Sequence, residues 1–450
     1  MALSGIQIFQ LLPKTNCKEC GVPTCLAFAM NLAAGKIELS RCPHISQEAR
    51  LKLEAESAPP IRTVEIGEGE SAFKIGGETV LFRHEKTFFN PTALILRIRD
   101  DEPESQVEAK LARFNDLTWE RVGLVLRGNG VAIQAASGEQ KKFVSLVKKA
   151  ADRTKGGLVL MTESPELMAA ALPVCAARRP LLCAATENNV DAMGKLAREH
   201  KLPLVVRAQG LDKLAALAEK LTAAGVHDLV LDSGARRIGQ LLQDQVRIRE
   251  AAIQKRFRPF GFPILALPCE MTDDFMLETV YAATLLAKYA SMIVLSDFQG
   301  HNLFHLLLER LNLYTDPQRP MKTEQKIYEI NNPGPRSPVL CTCNFSLTYF
   351  IVSGEIENSR VPAYLAVLDT EGLSVLTAWA AGKFSGEQLG GFINKSGLRE
   401  RLTERHLIIP GYVAVIRGDL EEALGDEWQV HVGPREASGI PAYLRERYNR

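Results

Sequence analysis

The chain has 450 residues, of which 46% are hydrophobic and 24% charged, an ordinary globular composition in a chain too long for a single core. Its 54 Lys and Arg against 53 Asp and Glu leave a net charge of +1, which argues against the basic footprint of a nucleic-acid binder or a membrane-surface protein. No apolar run approaches the roughly 18 residues of a membrane span, and the start, MALSGIQIFQLLPKTN, lacks the basic region and cleavage site of a secretory leader.

Near the N-terminus, TNCKECGVPTC and RCPH place Cys17, Cys20, Cys25 and Cys42 in a C-x2-C-x4-C-x16-C pattern. Four thiolates suit tetrahedral zinc or an iron–sulfur cluster. Structural zinc sites usually pair their cysteines in two short knuckles, whereas here three share one compact loop and the fourth stands alone before Pro43. That arrangement favours a 4Fe–4S cluster over zinc, and either over four cysteines without a metal. Gly21 and Pro23 suit a tight loop whose N–H groups face sulfide. The other cysteines (Cys175, Cys183, Cys269, Cys341, Cys343) are scattered and the total of nine is odd, so a reducing cytoplasm is expected rather than a disulfide framework.

Two linker-like stretches follow, AESAPPIRTVEIGEGES at 55–71 and a segment with five prolines at 314–338. They suggest domains over 1–57, 58–320 and 321–450. SAFKIGGETVLFRHEKTFF reads as a β-hairpin turning at Gly76-Gly77 and plugging the bottom of what comes next. That is a run of eight apolar segments: 92–98, 122–127, 157–162, 180–185, 203–208, 228–233, 263–268 and 292–297, with helical periodicity between them. Nearly continuous apolar strands alternating with helices predict a parallel sheet closed into a (β/α)8 TIM barrel. Its strand ends carry Arg97, Asp100, Arg127, Glu163, residues 186–189 (TENN), Arg207, Asp232, Glu270 and Asp297. These could serve a polar substrate, as barrel enzymes do, although charged rims are common in any barrel.

The last segment alternates again, through PVLCTC, AYLAVLD, HLIIPG and WQVHVG, and predicts four parallel strands in a small Rossmann- or flavodoxin-like sheet. Ligands in such sheets bind at the carboxyl ends of strands. Those ends are TCNFSLT (342–348), DTEGLS (369–374), PGY (410–412) and GPREASG (433–439), rich in small and hydroxyl residues. The plainer reading is that Ser346 and Asp369 are helix N-caps. No G-x-G-x-x-G follows a strand, so a dinucleotide site has no support, and the Asp-x-His-x-x-Gly pattern that ligates cobalt through histidine is absent. His406 and His431 sit in or beside strands, where packing is expected, and Cys341 and Cys343 share one strand face as core residues.

The chain resembles the large (gamma) subunit family of the corrinoid iron–sulfur proteins of the anaerobic acetyl-CoA pathway. The resemblance rests on KTNCKECGVPTCLAFAMNLAAGKIELSRCPH, on the central barrel, and on VLCTCNFSLTYF and LDTEGLSVLTAWAAGKF. It implies an α/β protein with a small 4Fe–4S domain, a TIM barrel and a C-terminal corrinoid (cobalamin)-binding domain. It implies a methyl carrier, a corrinoid-dependent methyltransferase component rather than a stand-alone enzyme. A base-off corrinoid would accept a methyl group from methyltetrahydrofolate through a separate methyltransferase and donate it to acetyl-CoA synthase/CO dehydrogenase. The 4Fe–4S cluster on Cys17, Cys20, Cys25 and Cys42 would reactivate the cobalt with electrons from a ferredoxin-type donor. A small subunit would complete a heterodimer, with no nucleic acid and no membrane involved. By position and resemblance, the corrinoid contacts are expected at Thr342, Asn344, Ser346, Leu347 and Thr348; at Thr370, Glu371, Gly372, Leu373 and Ser374; and at Gly411, Gly433, Pro434, Arg435 and Glu436. The rival reading is a barrel methyltransferase or lyase carrying the cluster without a corrinoid.

Overall fold

The structure is a computed structural model that describes residues 5–33, 37, 39–46, 49, 53, 59–121, 123–316 and 321–448. It divides into two compact units, Met1–Leu117 with Gly128–Tyr314, and Thr118–Arg127 with Thr315–Arg450. Residues 57, 58 and 320, on which the expected domain boundaries fall, lie outside the described residues. Among the described residues no helix is long and apolar enough to cross a membrane.

The first unit opens with two short helices, α1 (Gly5–Leu11) and α2 (Cys25–Ala33), around a small core of Ile8, Leu12, Phe28 and Ala29. Strands β1 (Val64–Ile66) and β2 (Phe73–Ile75) then pair antiparallel. Their turn lies at residues 67–72, so the hairpin does not turn at Gly76-Gly77 as the sequence suggests. The tight Gly-Gly signal marks the exit of β2 instead, where both glycines have positive φ. Of the expected hairpin at 71–89 only Phe73–Ile75 is a strand, and its partner Val64–Ile66 comes from the stretch read as a linker; Val64, Ile66 and Ile75 are fully buried in one cluster with Ile95, Val159, Val205 and Val230 of the barrel interior.

Eight parallel strands form the barrel: β3 (Ala93–Arg99), then, past two further strands described below, β6 (Gly130–Gln134), β7 (Gly157–Met161), β8 (Leu181–Ala185), β9 (Leu204–Arg207), β10 (Leu229–Asp232), β11 (Leu265–Ala266) and β12 (Met292–Leu295). They are ordered β10-β9-β8-β7-β6-β3-β12-β11, and a single bridge between Leu231 and Ile264 closes the ring. Central strands are buried at every position, as β7 and β8 are, which is why they read as continuous apolar runs. Helix starts between them are set by local chemistry. Ser164 Oγ accepts from Leu167 N ahead of Pro165, and Asp274 accepts from Met276 N and Leu277 N.

One barrel strand is not where periodicity puts it. The segment 122–127, whose Val122 lies outside the described residues, is not a stave. Strands β4 (Thr118–Arg121) and β5 (Leu124–Arg127) form a separate antiparallel hairpin, and the stave is GVAIQ, which becomes β6. Leu124 and Val125 are 51% and 63% exposed, so this segment has the composition of a buried strand without its burial. The hairpin belongs to the second unit, where the Arg121 guanidinium lies 3.9 Å from the Phe350 ring centroid.

The second unit carries a five-stranded sheet of β13 (Lys326–Ile330), β14 (Val339–Cys343), β15 (Ala363–Leu368), β16 (His406–Ile409) and β17 (Gln429–Val432), ordered β13-β15-β14-β16-β17. Four strands are parallel, as expected; the fifth, β13, runs antiparallel along the edge and comes from the stretch that reads as a linker. Its partly exposed sequence KIYEI alternates on one free edge, a weaker signal than the apolar runs beside it. Cys341 and Cys343 are buried together on one face, in a core with Phe384, Leu389 and Leu420.

Candidate functional site

The four N-terminal cysteines converge. Cys20, Cys25 and Cys42 are buried in the small core beside α1 and α2, and Cys17 is half-buried. Burial pushes the Cys42 thiol up, the His44 N–H pulls it down, and the charges of Cys20, Cys25 and Cys17 push it up again. Four thiolates this close repel one another, so they ionise together only around a metal centre. The loop that carries them is built for the task. Asn16, Lys18 and Gly21 have positive φ, which bends the chain sharply between the ligands, and Gly21 N donates to Lys18 O at 2.9 Å. Asn16 Oδ1 accepts from Cys25 N at 2.8 Å, fastening the loop to the first residue of α2, where the helix N-terminus favours a thiolate. Glu19 and His44 pair at 3.0 Å on the exposed side, and their ligand atoms lie with that of Cys17 within 4.8 Å of one another.

The barrel rim is engaged with itself. Asp232, 1% exposed, takes Arg207 Nε at 2.7 Å and Arg236 Nη2 at 2.9 Å. Burial works to raise its pKa, but the two guanidiniums and the Gly234 N–H hold it below the usual carboxylate range. Arg236 also binds Glu270, and Arg207 binds Glu163. Asp100 accepts from Ala136 N, Ser137 N and Ser137 Oγ, Asn189 braces its own turn through Thr186 N, and Asp297 holds Arg113. Arg97 is half-buried with its Nε unpartnered. Arg127 is not on the rim, because it ends the β4–β5 hairpin. Charges spent on each other in this way support the barrel as scaffold and weaken its reading as an independent active site.

At the carboxyl ends of the parallel strands in the second unit lies a cavity of about 330 Å³. Of the expected residues, Thr342, Thr348, Ser374, Gly433, Pro434, Arg435 and Glu436 line it. Gly411 does not, but it makes the site: a Cβ there would meet Gly433 O at 2.6 Å and Arg435 N at 2.9 Å, so only glycine lets the third and fourth loops approach. Ser346 and Leu347 start helix α11 (Ser346–Ser359, numbered in chain order among the helices whose bounds are described), Ser346 buried and Leu347 60% exposed, and neither lines the cavity. Asn344 and Thr370 are fully buried behind the wall, bonded to each other, and Glu371, Gly372 and Leu373 form the turn between them and Ser374.

The N-cap reading does not hold. Ser346 is the first residue of its helix, and its Oγ is buried without a partner; Asp369 accepts from Asn344 Nδ2 and from Glu371 N rather than capping a helix. Thr342 Oγ1, on the cavity wall and 1% exposed, is also unpartnered apart from the weakly bonding Cys343 thiol. Residues that sequence reading missed include Tyr412, Leu376 and Ile351. Tyr412 was signalled by its place in PGY after a strand, and its hydroxyl donates to Glu436. The other two come from helices, where apolar residues look like core. Among the described residues no histidine lines the cavity. His406 and His431 face each other at 3.0 Å on adjacent strands and pack with Tyr448.

These residues fit a large polar cofactor with an apolar body: a mostly apolar cleft open to solvent, a buried hydroxyl with only the Cys343 thiol beside it, and loops drawn together on glycine. Comparison with known proteins agrees. A family model described as CO dehydrogenase/acetyl-CoA synthase delta subunit matches residues 63–444, and an Fe-S cluster model matches residues 12–44. The "Corrinoid/iron-sulfur protein large subunit" of Moorella thermoacetica is 45% identical over 99% of both chains. The "Acetyl-CoA decarbonylase/synthase complex subunit gamma" of Methanothermobacter thermautotrophicus is 36% identical, and that of Archaeoglobus fulgidus 34%, over 99% of this chain and at least 98% of each relative.

Proposed function

The chain belongs to the CO dehydrogenase/acetyl-CoA synthase delta subunit family, in the company of corrinoid/iron-sulfur protein large subunits, and from that premise we propose that it is a methyl carrier of the acetyl-CoA pathway. The carrying observation is the cavity at the strand ends of the second unit, with the unpartnered Thr342 hydroxyl on its wall. The corrinoid, when bound, supplies a cobalt centre that takes up and releases a methyl group, and the 4Fe–4S cluster supplies single electrons to it.

The protein's own residues then have distinct tasks. Cys17, Cys20, Cys25 and Cys42 hold the cluster, and the left-handed Asn16, Lys18 and Gly21 bend the loop that gathers them. The cavity accepts the nucleotide tail of the corrinoid, with Thr342 Oγ1 and Thr348 offering hydroxyls and Leu376, Ile351 and Val352 an apolar wall. A lining of hydroxyl, apolar and charged side chains, with no imidazole among the described residues, supports a base-off cofactor. On the helices that follow these strand ends, Leu347, Ile351, Leu376, Trp379, Tyr412 and Val415 are all at least 43% exposed. An apolar rim of that kind suits the face of the macrocycle and the cover of a small subunit. In this reading the functional parts are residues 1–57 for the cluster, 58–320 for the barrel and 321–450 for the corrinoid, with hairpin 118–127 reassigned to the last.

A methyltetrahydrofolate methyltransferase would load the carrier, and acetyl-CoA synthase/CO dehydrogenase would unload it. The deciding experiment is an optical spectrum of the purified full chain with cobalt, iron and zinc analysis. Corrin bands with about four iron atoms per chain are expected. Full iron without corrin bands would instead support the barrel methyltransferase or lyase, and zinc without iron would remove the electron-transfer role.

A further inference from the structure

The loop between β15 and the helix α12 (Val375–Ala380) contains two consecutive left-handed residues, Glu371 (φ +58°) and Gly372 (φ +81°). Leu373 N donates to Thr370 O at 3.1 Å, which makes Thr370–Leu373 a turn of the I′ kind. Glycine adopts this hand freely, but glutamate does so against its Cβ. Such a turn persists only where its surroundings over-determine it.

Asn344, just past the end of β14 and 1% exposed, provides that determination. Its Oδ1 accepts from Thr370 N at 3.0 Å and from Gly372 N at 3.0 Å, while the single proton of Thr370 Oγ1, 3.1 Å away, has a shorter path to Leu373 O at 2.8 Å. Its Nδ2 donates to Asp369 Oδ1 at 2.8 Å and to Thr323 O at 3.3 Å. Two backbone donors on one atom and two acceptors on the other fix the amide's orientation and leave neither hydrogen for a ligand. Asp369 Oδ1, held by Asn344, in turn accepts from Glu371 N at 2.9 Å. The turn runs directly into Ser374, Val375 and Leu376, all on the cavity wall.

We infer that Asn344 is a positioning residue that locks the Thr370–Leu373 turn in its left-handed form, and with it the Ser374–Leu376 wall, without touching the cofactor. This rests on the corrinoid reading of the cavity and replaces the expectation that Asn344 and Thr370 bind the corrinoid directly. The buried hydroxyl on this side with no oxygen or nitrogen partner is that of Thr342, a lining residue two positions earlier in the chain.

The test uses the full chain with hydroxocobalamin as the probe. Asn344→Ala weakens uptake about tenfold, the penalty of a wrong-handed residue whose brace is gone. Adding Glu371→Gly to Asn344→Ala recovers most of that loss, because glycine keeps the turn unaided. If Asn344 bonded the ligand itself, a change at position 371 could not restore that bond, so absence of rescue overturns the inference. Asn344→Asp keeps the acceptor and the fold but sets a carboxylate against Asp369. Its uptake falls as that of Asn344→Ala does, because the Nδ2 donor to Asp369 and Thr323 is lost, and unchanged uptake counts against the brace. Amide hydrogen exchange at Leu373 in the cofactor-free chain gives a readout that needs no corrinoid. It accelerates in Asn344→Ala and slows again on adding Glu371→Gly. If the unaltered chain takes up no hydroxocobalamin the corrinoid reading fails, while exchange at Leu373 still decides the role of Asn344.

Discussion

Thr342→Val should move stability and affinity in opposite directions. Thr342 is 1% exposed, near the end of β14, with its Oγ1 unpartnered. Leaving a buried hydroxyl unsatisfied costs about 1–3 kcal/mol, and the weak Cys343 thiol places this site toward the low end. Valine has the same shape and the same β-branched fit to a strand, so it opens no cavity. The cofactor-free protein should therefore gain about 1 kcal/mol, read as a rise of about 2–4 °C in the melting transition of the C-terminal unit. The same hydroxyl has its partner supplied by a bound ligand, so its loss should cost about 1–2 kcal/mol of affinity, roughly 5- to 30-fold in Kd for hydroxocobalamin. Differential scanning calorimetry and a spectrophotometric titration measure the two quantities. A destabilised variant, or one with unchanged affinity, would refute the argument that this hydroxyl is kept for the ligand.

Cys42→Ala should abolish the iron-dependent reductive activation of the protein while leaving methyl transfer from chemically pre-reduced protein intact; stopped-flow assays of both steps check this, and equal loss of the two would contradict the division of labour. At the other end of the barrel, Arg249 and Glu78 are 2% and 3% exposed and 3.8 Å apart. Glu78→Ala strands the Arg249 charge among Phe88 and Tyr289 and should cost about 3–5 kcal/mol in urea unfolding, whereas Glu78→Gln with Arg249→Met should come close to wild type. Burial, then the charges of His406, Arg447 and Arg417, push the His431 pKa below its usual 6.5. The unfolded chain binds that proton more readily, so stability of the C-terminal sheet is full above about pH 6.5 and falls as pH drops through the folded value. Melting curves between pH 7.5 and 5 should show the slope, and His431→Gln should flatten it.

The parts of the fold legible in the sequence were those whose signal is local or summed over many residues. Seven of the eight apolar runs became barrel staves and four more a doubly wound sheet, because strands buried on both faces must be apolar throughout. The misreadings have a common source. GLVL at 123–126 and the neighbouring GVAIQ are equally apolar, and only burial separates the exposed hairpin from the stave β6. KIYEI in the proline-bearing linker becomes β13 because β15 offers it an edge to pair with. Of the plug hairpin only the strand Phe73–Ile75 was legible, since Gly76-Gly77 resembles the turn chemistry that residues 67–72 carry out and so pointed to a partner strand on the wrong side.

The cofactor sites divide in the same way. Cysteine spacing alone pointed to a metal centre, because ligand type and separation are written in the chain and any fold that gathers Cys17, Cys20, Cys25 and Cys42 must use that order. Small residues at strand ends likewise located the C-terminal site to within its four loops. Which of them face the cavity depended on side-chain direction and on the hydrogen bonds already made, both of which are set across strands. Thr342 looks into the space while Asn344, two residues on, spends its whole amide on a loop twenty-six residues away. Hydrogen-bond capacity is consumed by whatever partner the tertiary structure brings within about 3 Å, and no property of the residue itself records that partner.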